Sequence, residues 1–202
     1  MRRLPAHTVI CLASLLAACT QKTLSPTTFA SQYQPQLDNA DVVKPKNCAT
    51  VAGLDVENGL PNAVVGQRSL QSRAVPAQNI SMTGNLAAWV RAGSAEMLRR
   101  ATLDTHDAKG PRLQLRLDEM AVHENVYVNS GYDARVTLDA ALVNARGQVC
   151  WHQSVTGQSS NYGDSGAAVN YQETVNHALD RAVMSLVADR GFQEAACRSC
   201  RD

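Results

Sequence analysis

The sequence is poor in several things, and each shortage excludes a class of protein. Aromatic residues make up 4% of the chain and apolar residues 45%, so a core has to be built from Val, Leu and Ala rather than from rings. No apolar run reaches the ~20 residues that a membrane-spanning helix needs. Charge of either sign is not in excess: 19 basic residues face 18 acidic ones. That balance gives no electrostatic case for nucleic acid or for an anionic surface as partner. The five His, namely His7, His106, His123, His152 and His177, show no HxxxH or HExxH spacing, so no metal site is expected. There is no Gly-x-Ser-x-Gly elbow, no phosphate-cradling Gly loop, no internal repeat and no low-complexity array. The carboxylate pairs Asp118-Glu119 and Asp104/Asp107 carry no mark of desolvation. Neither catalytic residues nor a cofactor is expected.

What is present begins at the N-terminus. Arg2 and Arg3 precede an apolar run from about Val9, which ends in Leu16-Ala17-Ala18-Cys19. A basic start, a short apolar stretch and a small-residue exit make a secretory signal peptide over residues 1–18. The Cys directly after Leu-Ala-Ala resembles the bacterial lipobox. That resemblance implies cleavage before Cys19, with diacylglycerol on its thiol and a fatty acid such as palmitate on its new amine. Two or more acyl chains hold a protein stably to a membrane where one does not. In lipoproteins an Asp after the Cys favours inner-membrane retention. Thr20 stands there instead, so the resemblance implies the outer membrane, with the domain facing the periplasm.

Without residues 1–18, 184 of the 202 residues remain, enough for one domain. Residues 19–46 read as the lipidated Cys followed by a flexible tether. They hold Pro26, Pro35 and Pro45 with Ser, Thr and Gln, and no sustained apolar period. Its 27 residues after Cys19, fully extended, reach roughly 90 Å. An arm lying on the domain is the alternative.

A single α/β domain is expected over residues 47–202. Residues 48–56 read as a strand, and 57–81 as an irregular stretch with Gly59, Pro61, Gly66 and Pro76. Residues 83–102 read as a helix with Leu86, Trp89, Val90, Gly93 and Met97 on one stripe. Strands follow at 112–118, 132–143 and 148–157, the last two joined by the hairpin signal Asn144-Ala145-Arg146-Gly147. Strict alternation in all three predicts one buried and one wetter face. A polar loop from Ser159 to Gly166 leads to a helix over 171–189. Asn170 and Glu173 have capping-box spacing there. The order β-α-β-β-β-α predicts a two-layer sandwich, a four-stranded mixed sheet with two helices on one face.

Pro61-Asn62-Ala63-Val64-Val65-Gly66 before a helix carrying Trp89 is similar to the YajG-type family of bacterial outer-membrane lipoproteins. So are the stretches Gly131 to Leu138 and Gly147 to Trp151, and the helix with Asn176, Ala178 and Leu179. Similar single-domain α/β lipoproteins include auxiliary components of lipid-handling ABC transporters. The resemblance covers about residues 48–190 and implies an envelope location, with an envelope protein or lipid-handling partner, more than an activity. The reading is a non-enzymatic binding or assembly module. The alternative is an envelope hydrolase or thiol-redox enzyme whose site the sequence does not show. The long stretch 57–81 suggests an interaction surface at Val64, Val65, Gln67 and Arg68, since long loops in compact domains are often functional.

Cys48, Cys150, Cys197 and Cys200 remain after processing. An even count in an oxidising compartment predicts disulfides, with three possible pairings. The expected topology returns all four to one edge of the sheet. Face parity favours a bond from Cys48 to Cys197 or Cys200 over any bond of Cys150. The Cys197-x-x-Cys200 spacing also occurs in redox centres, but here it follows a helix rather than opening one.

Overall fold

The computed structural model describes residues 24–45, 48–70, 75–103 and 110–200, with side chains left aside at 198 and 199. The signal peptide, Cys19, Asp104, His106 and Asp107 lie outside the described residues.

Among the described residues, seven strands form one mixed sheet: β1 (Thr27–Ala30), β2 (Gly53–Asn58), β3 (Val64–Leu70), β4 (Gln78–Thr83), β5 (Arg112–Val126), β6 (Ser130–Val143) and β7 (Val149–Gly163). Two long helices, α1 (Leu86–Arg100) and α2 (Ala168–Ala188), are followed by a short α3 (Arg190–Glu194). The strands run in space β1-β4-β3-β5-β6-β7. β5 is long enough to take two parallel neighbours on one edge: β2 along its first half and β3 along its last five residues. Its other edge pairs with β6 throughout.

The sheet thus has seven strands where the alternation predicted four, and each extra piece has a local physical cause. β5 runs on past residue 118 because of a bulge. Leu113, Leu115 and Leu117 are buried at odd positions, then Asp118 and Glu119 are both exposed, and burial resumes at Met120, Val122, Glu124 and Val126. The register shift between Leu117 and Glu119 absorbs the extra residue and keeps one face apolar. β7 runs on past residue 157 because its inward positions are small rather than apolar. A side chain on Gly157 would put Cβ 2.0 Å from the Ala178 carbonyl oxygen, so only a glycine lets α2 lie this close. Ser159 is the next inward residue. Residues 57–81 are not a loop: β3 and β4 form an antiparallel pair within them. β3 is bulged at Gly66, where Cβ would fall 1.8 Å from the Val122 carbonyl oxygen, and its next inward residue is the charged Arg68. Neither feature looks like a strand in sequence.

Both long helices cover one face of the sheet, as expected, and the core lies between. Leu113, Leu117, Val136, Leu138, Ala140 and Leu142 from the strands meet Trp89, Val90, Met97, Val175, Leu179, Ala182 and Val183 from the helices. The parallel pairing of β2 with β5 around α1 also agrees with the expected crossover. α1 is capped by Asn85, whose Oδ1 accepts the Ala88 N–H. The capping box proposed for the last helix is not there. α2 starts at Ala168 after Ala167, without a side-chain cap, and Asn170 donates instead to the Asp164 carbonyl.

The tether reading is overturned for residues 24–45. β1 joins the sheet parallel to β4 and buries Phe29. The next residues cross the helices. Gln172, Asn176 and Asp180, one turn apart on α2, hold them in sequence. Gln172 and Asn176 donate to the Gln32 carbonyl. Asp180 Oδ1 accepts from Tyr33 Oη at 2.7 Å, and its Oδ2 accepts from the Gln36 and Leu37 N–H groups at 2.7 and 3.1 Å. Arg100 donates to the Leu37 carbonyl. Composition missed this because the segment is held by polar bonds to backbone, which leave no apolar period.

The cysteines pair as Cys48–Cys197 and Cys150–Cys200, with Cα separations of 4.9 and 5.5 Å. The favoured bond from Cys48 into the tail is present, and Cys150 takes the remaining partner. Closing the 149-residue separation removes unfolded-chain entropy worth up to about 5 kcal/mol in the chain-entropy model.

Candidate functional site

Two features carry the chemistry of the molecule, a buried ion pair at one end and an open polar sheet face.

The buried pair joins Arg68 of β3 to Glu124 of β5. Parallel pairing puts the two residues directly opposite each other, and strand parity turns both toward the helices. Glu124 is fully buried and Arg68 nearly so. Arg68 Nε lies 2.8 Å from Glu124 Oε2, though its N–H is not aimed along that contact. Glu124 Oε1 accepts from Ser165 Oγ at 3.0 Å and the Gly166 N–H at 2.9 Å, with Arg68 Nη2 and Tyr132 Oη at 3.4 Å. Oε2 also accepts a short bond from Tyr171 Oη. Arg68 spends its other donors on the Ser25 carbonyl, Thr27 Oγ1 and Ser165 Oγ.

Burial alone drives the Glu124 carboxyl up. The bonds from Tyr171 and the Gly166 N–H, the Arg68 charge and the bond from Ser165 outweigh it, and hold the group below the ordinary Glu range. The Tyr171 phenol is driven up, first by burial and then by its bond to Glu124. Tyr171 also stacks on Phe29 and meets Tyr132 edge-on. Every oxygen of the carboxylate is thus taken by an internal donor. The cluster ties four separate segments together: the start of β1, β3, β5 and the turn between β7 and α2. That is the arrangement of a lock.

Asp180 is a second buried carboxylate. Among the described residues its hydrogen-bond partners are Tyr33 Oη and the N–H groups of Gln36 and Leu37. Burial pushes its pKa up, against the bonds from Tyr33, Gln36 and Leu37 that lower it. His177, one turn earlier, is pushed down by burial and by Arg181.

The second feature is the sheet face away from the helices. Along β5, β6 and β7 it carries the outward side chains of Gln114, Arg116, Glu119, His123, Asp133, Arg135, Asp139, Thr156 and Gln158. Asp139 bonds His152 at 2.7 Å, and Arg116 Nε sits 2.9 Å from Asp118. Thr137 bridges Glu119 and Thr156. Depressions of about 460 and 400 Å³ lie on it, one around Asp55, Gln114, Arg116 and Asp139, the other around Gln67, His123, Arg135 and Gln158. Both are broad and shallow; charged side chains dominate the first, while the second mixes them with Ala121, Val122 and Ala134. Among the described residues no group of three or more His, Cys, Asp and Glu is placed to hold a metal ion.

The residues expected at an interaction surface are split by the strand they form. Val64 and Gln67 are exposed, and Gln67 lines the second depression. Val65 and Arg68 are buried on the helix side, so the four do not form one surface. The Cys197-x-x-Cys200 pair is not a dithiol, because each member bonds a distant partner. Sequence reasoning missed Glu124, and it named Arg68 for an exposed surface rather than for a buried pair. The signal was there in retrospect: each stands at an inward position of its strand once the bulges at Gly66 and Leu117 are allowed for.

No family model matches the chain, and no curated protein matches it. Among solved structures, a minor lipoprotein from Acinetobacter baumannii overlaps at TM-score 0.31 with 10% identity, over 73% of this chain and 92% of that one. A candidate lipoprotein from Caulobacter crescentus overlaps at 0.43 with 14% identity, over 57% and 86%. Neither overlap is close enough to carry weight. A Xanthomonas campestris protein of the family DUF330 superimposes at TM-score 0.50 over 83% of this chain and 96% of its own, at 10% identity. At that identity the likeness is one of fold, and the chain shares its mixed α/β architecture with that bacterial protein.

Proposed function

We propose that the chain is a lipid-anchored lipoprotein of the bacterial outer membrane that serves as a non-enzymatic binding module, with its open sheet face as the recognition surface. The observation that carries the reading is that face. β5, β6 and β7 are 15, 14 and 15 residues long, and the helices cover only one side of them. Polar, part-paired side chains on a broad sheet suit a protein surface better than a small substrate, which needs a concave and largely apolar site. The buried carboxylates support the same reading, because their oxygens are taken up by internal donors. The paired cysteines leave no thiol in the tail for redox chemistry. The anchor rests on Leu16-Ala17-Ala18-Cys19, and the outer membrane on Thr20. The resemblance to the YajG-type family agrees with this placement.

The test has two parts. Labelled palmitate should enter the wild-type protein and not the Cys19→Ser variant. Photo-crosslinking residues placed at Gln114, Arg135 and Gln158 should give a common discrete adduct in cells, while the same residue at Ala92 or Arg99 of α1 should not. Adducts of equal yield from both layers, or none from the sheet, would overturn the binding role.

A further inference from the structure

The large apolar side chains left exposed are not scattered. Among the described residues they are Val64, Tyr127, Val128, Val149, Tyr162 and Val169. Four of these six lie at one end of the molecule. Tyr127 and Val128 form the turn from β5 to β6, Tyr162 closes β7, and Val169 opens α2. They are neighbours across the sheet. β6 begins beside the end of β7, with Gly131 opposite Tyr162, and the Tyr127 N–H donates to Ser130 Oγ. Val128 is fully exposed, and Tyr162 is 73% exposed.

The connecting segments at this end carry few charges. Leu24–Pro26, Tyr127–Asn129 and Asp164–Ala167 contain one charged residue between them, Asp164, and the sequence between β3 and β4 adds one more, Arg73. The opposite end, where the disulfides lie, exposes Arg146, Arg190 and Glu194. Among the described residues the exposed large apolar side chains are therefore concentrated at one end, with Val149 at the other.

The chain also comes in at the apolar end. Ser25 and Thr27 are held there by Arg68, and β1 starts from that point. Only Thr20 to Thr23 separate Leu24 from Cys19. Five residue steps span at most roughly 17 Å when fully extended, against the roughly 90 Å that a tether to residue 46 allows.

We infer that this end of the domain docks on the phospholipid surface of the membrane, with Tyr127, Val128, Tyr162 and Val169 in the headgroup layer. The inference rests on the lipidation of Cys19 proposed above. The occupant is lipid rather than a protein because the short leash holds this end, and no other, against the bilayer. Tyr suits such a position, having an apolar ring and a polar tip. A rim with few charges costs little to bring there, while the end with Arg146, Arg190 and Glu194 stays in water. The strands then stand away from the membrane, and the open sheet face is presented sideways to a partner.

The experiment uses the full-length protein purified from membranes and reconstituted in phosphatidylethanolamine–phosphatidylglycerol vesicles with brominated acyl chains. Two variants are compared, Val128→Trp at the apolar end and Val149→Trp at the far end, against the background of Trp89 and Trp151. Circular dichroism checks that both fold, and mass spectrometry reads the acylation of Cys19. Docking predicts that bromolipid quenches the added indole of Val128→Trp several-fold more than that of Val149→Trp. Acylated Cys19 with equal quenching at both ends overturns the docking and leaves the lipoprotein reading standing. Cys19 without acyl mass overturns both.

Discussion

Replacing Glu124 by Gln keeps the size of the side chain and removes its charge. Arg68 then loses its counterion while remaining buried, and two of the carboxylate's acceptor positions become an amide donor facing Ser165, Tyr132 or Tyr171. Breaking a buried pair by removing one partner costs about 3–5 kcal/mol. The cost belongs at the upper part of that range because four segments converge on this carboxylate. With a urea slope of roughly 2 kcal/mol per molar, the midpoint should fall by about 2 M. The Arg68→Met, Glu124→Leu double variant removes both charges and should recover part of the loss, since no unpaired ion remains. The assay is equilibrium urea unfolding at pH 7 with disulfides intact, followed by circular dichroism. The folded carboxyl has its pKa below the ordinary 4.5. Its contribution is therefore full above pH 4.5 and is lost as pH falls through the lower folded value. Wild type should lose stability there more steeply than the Glu124→Gln variant. A midpoint shift under about 0.5 M, the scale of a solvated surface pair, would refute the placement of this pair in the core.

Three further outcomes follow from the structure. Asp180→Ala should free residues 31–37 without unfolding the sheet, seen as fast amide exchange at Gln36 and Leu37 alone, and slow exchange there would refute the hold. Because the Asp180 pKa is raised in the folded state, the wild type should gain stability relative to Asp180→Asn as pH falls through that folded value toward 3.8, and an identical pH slope in both would count against it. Cys48→Ser with Cys197→Ser should lower the unfolding free energy by about 2–5 kcal/mol while leaving Cys150–Cys200 oxidised. Non-reducing peptide mapping that finds Cys197 joined to Cys200 in the wild type would reject the pairing.

Where residues follow one rule, the sequence was readable. The three longest strands, both long helices and the one-sided sheet are legible in Leu113 to Val155 and in the stripes of α1 and α2, because burial there is set by simple alternation or by spacings of three and four. The tail bond of Cys48 was legible because the expected topology returns all four cysteines to one edge, where face parity favoured it. The missed elements each break such a rule at a named residue. The bulge at Asp118-Glu119 changes parity within a single strand. Gly157 and Ser159 face inward because α2 needs room, not because they are apolar. Arg68 and Glu124 face inward as a pair, and neither reads as core until its partner is known to stand opposite. The candidate site was obscured for that reason: a buried ion pair is a property of two strands in register, and no window of one strand contains it.

The N-terminal segment shows what such a misreading changes in function. Pro, Gln and Ser in residues 24–45 look like tether, but Gln172, Asn176 and Asp180 supply the partners its backbone needs, and Phe29 supplies the burial. The polar composition that suggested a free coil is the composition of a strand and strap bonded to someone else's side chains. Once that segment is part of the domain, an anchor at Cys19 leaves only four intervening residues rather than 27. A long tether would let the domain sample every orientation and range far from the bilayer. A short one fixes which end meets lipid, and the Arg68–Glu124 lock sits where the leash joins the sheet. With the anchor proposed at Cys19, a pull from the membrane would be delivered through Ser25 and Thr27 to Arg68, and from it to β3, β5 and the turn before α2 together.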